Sequence, residues 1–354
     1  MILERYIFRE LVASFIFAFL AVLVVCLIGT MFQVFRTFPG LGFAILAQAL
    51  PLAVGAMATW VILVASSTSS TLVYARLAAE NEITAMSACG ISSRRIIAPA
   101  LLLGLLLVGI AYPLNEKVVP WTRHQRRMAF RMSTLEALKS PPPGTQDFIL
   151  GGYHIHYTDY RDGRMINPTI SKLNADNQVV MDYYAPSGTI LAASDPIRVS
   201  MSQPSYWRLT DRGQQELIRV GSEVTVEIPT KDFENAQPQT VDLPSEVLWE
   251  RVISAPTRAA RNPLLLILHL RYAQSLAPLL LVLVAVPIGI LVRKGSRLAG
   301  LGASLPPLMI YLVTFFIFQG LGEKSRVNPI VAAYAADAFL GVLATILMIG
   351  VARR

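Results

Sequence analysis

The chain has 354 residues, of which 54% are hydrophobic and only 15% charged, against about 25% charged in a soluble domain; its mean hydropathy is +0.51. Residues 120–255 hold 14 basic and 16 acidic side chains, leaving 17 basic and 7 acidic for the two flanks. This excludes an ordinary soluble protein, and it assigns the formal charge of +8 to the edges of apolar segments rather than to a nucleic-acid face.

A helix crosses the hydrocarbon core in about 20 apolar residues, so uncharged runs are the ruler. Arg5 and Arg9 precede the first, residues 11–35. It is longer than the roughly 7 to 15 residues of a secretory h-region and reads as a retained first span. The next run, 37–75, is too long for one crossing. Pro39, Gly40 and Gly42 open it as a turn and 66–71 close it with Ser and Thr only, which predicts one crossing with a polar-faced extension. Residues 96–115 make a third span, and 121–139 a helical connector ending at Pro141-Pro142-Pro143-Gly144.

The middle of the chain changes character. Residues 148–157, 169–184, 188–199 and 223–228 are rich in Val, Ile, Tyr and Thr, separated by turn signals such as Asp162-Gly163, Asn167-Pro168 and Asp211-Arg212-Gly213. Short strands at that spacing predict a sandwich or jelly roll. A second helical connector, 245–254, leads to three more spans at 272–292, 298–322 and 327–352. Pro278 and Pro287 interrupt the fourth, either as kink points or as tolerated prolines. Gly300 and Gly302, with Ala299 and Ala303, give the fifth a small-residue face. The expected fold is an α-helical membrane protein of six transmembrane helices, three plus three, with an inserted periplasmic β-jelly-roll domain. The divisions fall at 1–120, 121–255 and 256–354.

Charge sets the orientation. With a cytoplasmic amino terminus, ten Lys and Arg fall on inside segments and three, Arg36, Lys324 and Arg326, on short outside loops. The positive-inside rule favours that arrangement, with both termini cytoplasmic in the cell inner membrane and the polar insert outside.

Chemistry is sparse. Cys26 and Cys89 are too few for a disulfide framework, and Gly322-Glu323-Lys324-Ser325 lacks the leading glycine of a phosphate loop, so the chain is not expected to hydrolyse ATP. His154 and His156 share a strand face without further metal ligands nearby, and no metal or cofactor is expected. Asp337 is the one intramembrane carboxylate; an unpaired one costs about 2.5–3.5 kcal/mol on insertion scales, so a partner is expected, with His269 and Arg271 as candidates. It serves either a structural contact or gating. Arg36, at the outer edge of span one, suits either a lipid phosphate or a snorkelling anchor.

The informative segment follows the second span. On a helix Glu82, Met86 and Cys89 share a face at i, i+4 and i+7, with Ile83 adjoining; Gly90 takes the left-handed C-terminal position and Ser92 or Ser93 begins the next helix. The segment reads either as a helix resting on lipid or as a docking helix whose knob, Met86 with Ile83, enters a partner's groove while Glu80 and Glu82 meet a basic rim. Its acidic start favours docking.

The run Glu80-Asn81-Glu82-Ile83-Thr84-Ala85-Met86-Ser87-Ala88-Cys89-Gly90-Ile91-Ser92 resembles the coupling-helix signature of the lipopolysaccharide-transport permeases LptF and LptG. The likeness extends over the whole chain, from the Glu4-Arg5-Tyr6 start through three spans, an outward jelly roll and three closing spans, and Ala88-Cys89-Gly90 leans toward LptF. The resemblance implies a non-catalytic permease subunit of an ABC transporter. It implies an LptB-like ATPase dimer bound at Glu80, Glu82, Ile83, Met86 and Gly90, and an LptG-like paralogue or second copy as partner. It also implies an LptC- or LptA-like periplasmic jelly-roll protein and a glycolipid substrate whose phosphate meets Arg36. It places spans one and five at the interface between the two permeases. The alternatives are a membrane-anchored periplasmic scaffold or sensor, and an exporter permease of another ABC class.

Overall fold

A computed structural model of the chain describes residues 2–37, 43–139, 146–150, 152–174, 178–192, 196–209, 215–219, 223–228, 239–292 and 297–352. The turn signals at 39–42 and 211–213 and the boundary at 141–144 lie outside them. The chain forms two compact units, one of residues 1–30, 50–124 and 239–354, the other of 31–49 and 125–238.

Helices α1 (Ile2–Thr37), α2 (Phe43–Ala79), α3 (Glu82–Ala88) and α4 (Ser93–Pro113) come first, and α4 continues through a π turn, Leu114–Val118, into α5 (Val119–Lys139). After the strands come α6 (Ser245–Ser254), α7 (Arg258–Leu291), α8 (Arg297–Glu323) and α9 (Pro329–Ala352). Among the described residues six helices are long and apolar enough to cross a membrane, beginning at Ile2, Pro51, Ser93, Arg258, Gly300 and Pro329. Helical hydrogen bonding satisfies most backbone polar groups within each, the condition for lying in lipid. Helix α7 runs unbroken through Pro278 and Pro287, both buried.

The hydroxyl run in α2 faces inward: Ser66, Ser67, Ser69, Ser70 and Thr71 are all buried. Ser66 Oγ and Thr71 Oγ1 donate to the Leu63 and Ser67 carbonyls of their own helix, each at 2.9 Å, while Ser67 Oγ reaches the Ser304 carbonyl of α8 at 3.3 Å. These small side chains let neighbouring helices approach closely. A Cβ built on Gly289 of α7 would lie 2.7 Å from the Thr71 carbonyl oxygen, and one on Gly300 of α8 would lie 3.3 Å from the Ala75 Cβ. The small-residue face of span five is divided: Gly300 lies against α2 within the chain, while an added Cβ on Gly302 meets nothing within 4 Å among the described residues.

The inserted unit holds two antiparallel sheets, ordered β1-β2-β5-β6-β9-β10 and β11-β8-β7-β4-β3. Strand β1 spans Gln146–Leu150 and β2 Tyr153–Tyr157, so the apolar stretch at 148–157 is a hairpin around Gly152 at φ +79° rather than one strand. The stretches at 169–184 and 188–199 likewise divide, into β5 (Thr169–Leu173) with β6 (Val179–Tyr184) and β7 (Ser187–Ala192) with β8 (Ile197–Ser202). Strands β3 (Asp159–Arg161) and β4 (Arg164–Ile166) flank Asp162-Gly163, both at positive φ as a two-residue type I′ turn requires. The remaining strands are β9 (Ser205–Leu209), β10 (Gln215–Arg219) and β11 (Val224–Ile228). After each hairpin the chain crosses to the other sheet, so each sheet grows by stacking hairpins.

Alternate residues of β2, β8 and β11 enter one core: Ile155 and Tyr157, then Ile197, Val199 and Met201, then Val226 and Ile228. Burial pushes the Tyr157 hydroxyl above its ordinary pKa, so it stays neutral in the core. Ile155 is completely buried, and Ile155→Ala is expected to weaken this unit by about 2–5 kcal/mol through lost burial and an unfilled cavity. Limited proteolysis of the full chain checks this, with faster cleavage confined to residues 146–228.

Candidate functional site

Helix α3 occupies the loop between the second and third spans, and local signals fix both its ends. Asn81 adopts the left-handed conformation at φ 57° and its carbonyl accepts from the Ala85 N–H at 2.9 Å. At the other end the Gly90 N–H reaches the Ser87 carbonyl at 3.0 Å and the Ile91 N–H the Met86 carbonyl at 3.1 Å, while Gly90 sits at φ +78°. Those two bonds form a Schellman motif, whose hydrophobic contact is supplied by Ile91 and Met86 in one cluster. Ser92 then caps α4.

The packing corrects the knob expected at Met86. Its side chain is buried within its own chain, in a cluster with Ile7 and Leu11 of α1, Tyr74 and Leu77 of α2, and Ile96 of α4; Ile83 packs half-buried beside it. Helix α3 is therefore an integral piece of the bundle. Cys89 lies past the last helical residue and is exposed, so it leaves the face that spacing alone gave it. The exposed surface runs over Glu80, Asn81, Thr84, Ala85 and 87–90, with Glu82 half-buried at its edge.

A polar chain missed by sequence reasoning ties this helix to the first two spans. Tyr6 donates to Glu82 Oε1 at 3.4 Å, Arg76 Nη2 donates to the Tyr6 hydroxyl at 3.5 Å, and Arg76 Nη1 pairs with Glu10 at 3.1 Å. The available signal was that Glu10 and Arg76 both stand at membrane edges next to the loop. Beside α3 a cavity of about 270 Å³ is lined by Ile83, Thr84, Ser93, Ile96, Ile290 and Val351.

At the opposite ends of the spans, Arg271 is buried and its guanidinium donates to Ser245 Oγ at 3.1 Å and to the Val241 and Leu243 carbonyls at 2.8 and 2.7 Å. Ser245 in turn donates to Glu116 Oε2 at 2.7 Å. Arg271 thus holds the approach to α6 against α7. His269 Nδ1 lies 3.4 Å from the Tyr334 hydroxyl and its ring meets Trp249, Tyr272 and Tyr334 edge-on. Neither candidate pairs with Asp337, which is buried and has no hydrogen-bond partner on either oxygen among the described residues. A cavity of about 310 Å³ nearby combines an aromatic floor of Trp60, Phe315 and Phe316 with Arg123, Gln274 and Gln319, the amphiphilic lining that suits a lipid. Arg36 stands in the last turn of α1, and its side chain lies outside the described residues. His154 pairs closely with Asp147 on the outer face of its sheet, and no group of three metal-ligating side chains occurs among the described residues.

Residues 5–350 match the family described as lipopolysaccharide export system permease LptF/LptG. A search of the curated proteins finds no match.

Proposed function

Because the chain belongs to the lipopolysaccharide export system permease LptF/LptG family, we propose that it is the non-catalytic permease subunit of an ABC exporter, with α3 as the seat of a separate cytoplasmic ATPase dimer. The observation that carries this reading is the placement of α3: a short helix between two spans, anchored inward by Met86 and presenting an exposed row of small and acidic side chains outward. Glu80 and Glu82 supply the charge for a basic rim, and Ala85 and Ala88 leave room for close approach. Both termini are cytoplasmic in this reading and the β unit periplasmic, supported by the ten-to-three excess of basic residues on the inner segments.

The cycle needs no covalent step on this chain. Closure of the ATPase displaces α3, and because Met86 and Ile91 share a core cluster with α1, α2, α4 and α7, the displacement is delivered to four helices together. A lipid-holding space between this permease and a paralogous or identical partner then narrows, acyl chains are accommodated less well there, and the population shifts toward the periplasmic sheets. From these a periplasmic jelly-roll protein accepts the glycolipid. Arg36 meets a substrate phosphate at the outer end of α1, in the bidentate manner arginine allows.

Ala85→Arg tests the docking claim, because Ala85 is exposed and its replacement leaves the Met86 anchor intact. Loss of a close-packed contact is expected to weaken ATPase capture at least about tenfold with an unchanged thermal unfolding midpoint. Capture of the ATPase at wild-type affinity by this variant overturns the proposal.

A further inference from the structure

The sixth span carries a charged residue type deep among apolar neighbours. Asp337 of α9 is 5% exposed and Tyr311 of α8 is 0% exposed. Among the described residues, both oxygens of the one and the hydroxyl of the other have no hydrogen-bond partner. Buried polar groups are nearly always satisfied, so two orphans on adjoining helices ask for an explanation.

The titratable groups on the surrounding elements are few. From α7 come His269, Arg271 and Tyr272, from α8 Tyr311, and from α9 itself Tyr334. His269 is engaged with the Tyr334 hydroxyl, Tyr272 accepts from Trp249 Nε1 at 3.3 Å, and Arg271 is directed to Ser245 and two carbonyls. No cation among them pairs with Asp337. Tyr311 and Ala336, the residue before Asp337, belong to one buried cluster. An ionised carboxylate without a counter-charge is strongly disfavoured in such a place. The acid form differs in kind: it carries no net charge, and it adds one O–H donor while keeping acceptor capacity.

We propose that Asp337 is a proton-binding site of this protein. The packing of α8 against α9 holds the carboxyl as the neutral acid, and parting of the two helices admits water and releases the proton. In that step the acid O–H bond breaks, the proton passes to water and the electron pair stays on the carboxylate. The arrangement of the last two spans is thereby tied to proton concentration, with alkaline conditions favouring their separation. The site is independent of ATPase docking and is tested on the chain alone.

Infrared difference spectra of the full chain in lipid nanodiscs at neutral pH, wild type against Asp337→Asn, give the direct readout. The expected result is a carboxylic-acid carbonyl band present in the wild type and absent from the variant. Asp337→Asn, an uncharged isostere of the acid, is expected to keep the wild-type unfolding midpoint. Finding only ionised-carboxylate bands at Asp337, or an Asp337→Asn chain that unfolds well below the wild type, overturns the proposal.

Discussion

Gly289→Leu is expected to leave no stable helix bundle. A Cβ at this position falls 2.7 Å from the Thr71 carbonyl oxygen, 2.9 Å from the Tyr74 Cβ and 3.0 Å from the Ala75 nitrogen. Two of these atoms are backbone and the third is fixed to it, so no rotamer change relieves the overlap; α2 and α7 must separate. Overpacking typically costs about 1–3 kcal/mol for modest additions, a range in which Gly289→Ala belongs, and the larger side chain adds more. Separation carries further losses, because the Tyr74 hydroxyl donates to the Ile96 carbonyl at 2.7 Å and Ser67 and Thr68 meet Ser304 from the same helix. Gly302 is the control: nothing lies within 4 Å of an added Cβ there, and Gly302→Ala is expected to be neutral or slightly stabilising. Thermal unfolding of the purified full chain decides the matter. Equal midpoints for Gly289→Leu and Gly302→Ala mean that the close approach of α2 and α7 does not hold the bundle together.

The sequence made the spans legible because exclusion of charge from hydrocarbon is a one-dimensional signal: the run 272–292 needs only its own residues to be read. The insert was legible as β structure for a related reason, since strand-forming residues and turn dipeptides are local. The pairing was less so. A stretch such as 148–157 looks continuous until Gly152 takes a positive φ and folds it on itself, and β9 and β10 carry no pattern strong enough to stand out. The least legible features depend on contacts distant in the chain. Nothing near residue 86 announces that Ile7 and Leu11 will cover Met86, and nothing near 271 announces that the carbonyls of Val241 and Leu243 will claim its guanidinium. The C-terminal end of α3 was readable from Gly90 and its start at Asn81 was not, and neither was the direction its faces point. That is a tertiary property, and it moves the exposed docking row from Met86 and Ile83 to Ala85 and Ala88.

The division between anchor and docking face gives the second large effect. Met86→Arg places a guanidinium in a site that is 7% exposed and surrounded by Ile7, Leu11, Tyr74, Leu77 and Ile96. That cluster is apolar, and a guanidinium forced into it costs several kcal/mol unless it reaches Glu82, one turn back on the same helix. The side chain either tears α3 from the bundle or forces the bundle open around it. Met86→Ala removes the same anchor without adding charge and is expected to cost about 2–5 kcal/mol. Both variants are therefore expected to lower the unfolding midpoint, Met86→Arg by far the more, and to lose ATPase capture only as a consequence of losing the seating of α3. Ala85→Arg on the adjoining exposed position is expected to show the opposite pairing, with capture lost and midpoint kept. Measuring midpoint and capture on all three variants separates the two roles. A Met86→Arg chain that melts with the wild type yet fails to hold the ATPase means that Met86 points outward to the partner after all, and that α3 is held in the bundle by something other than its apolar core.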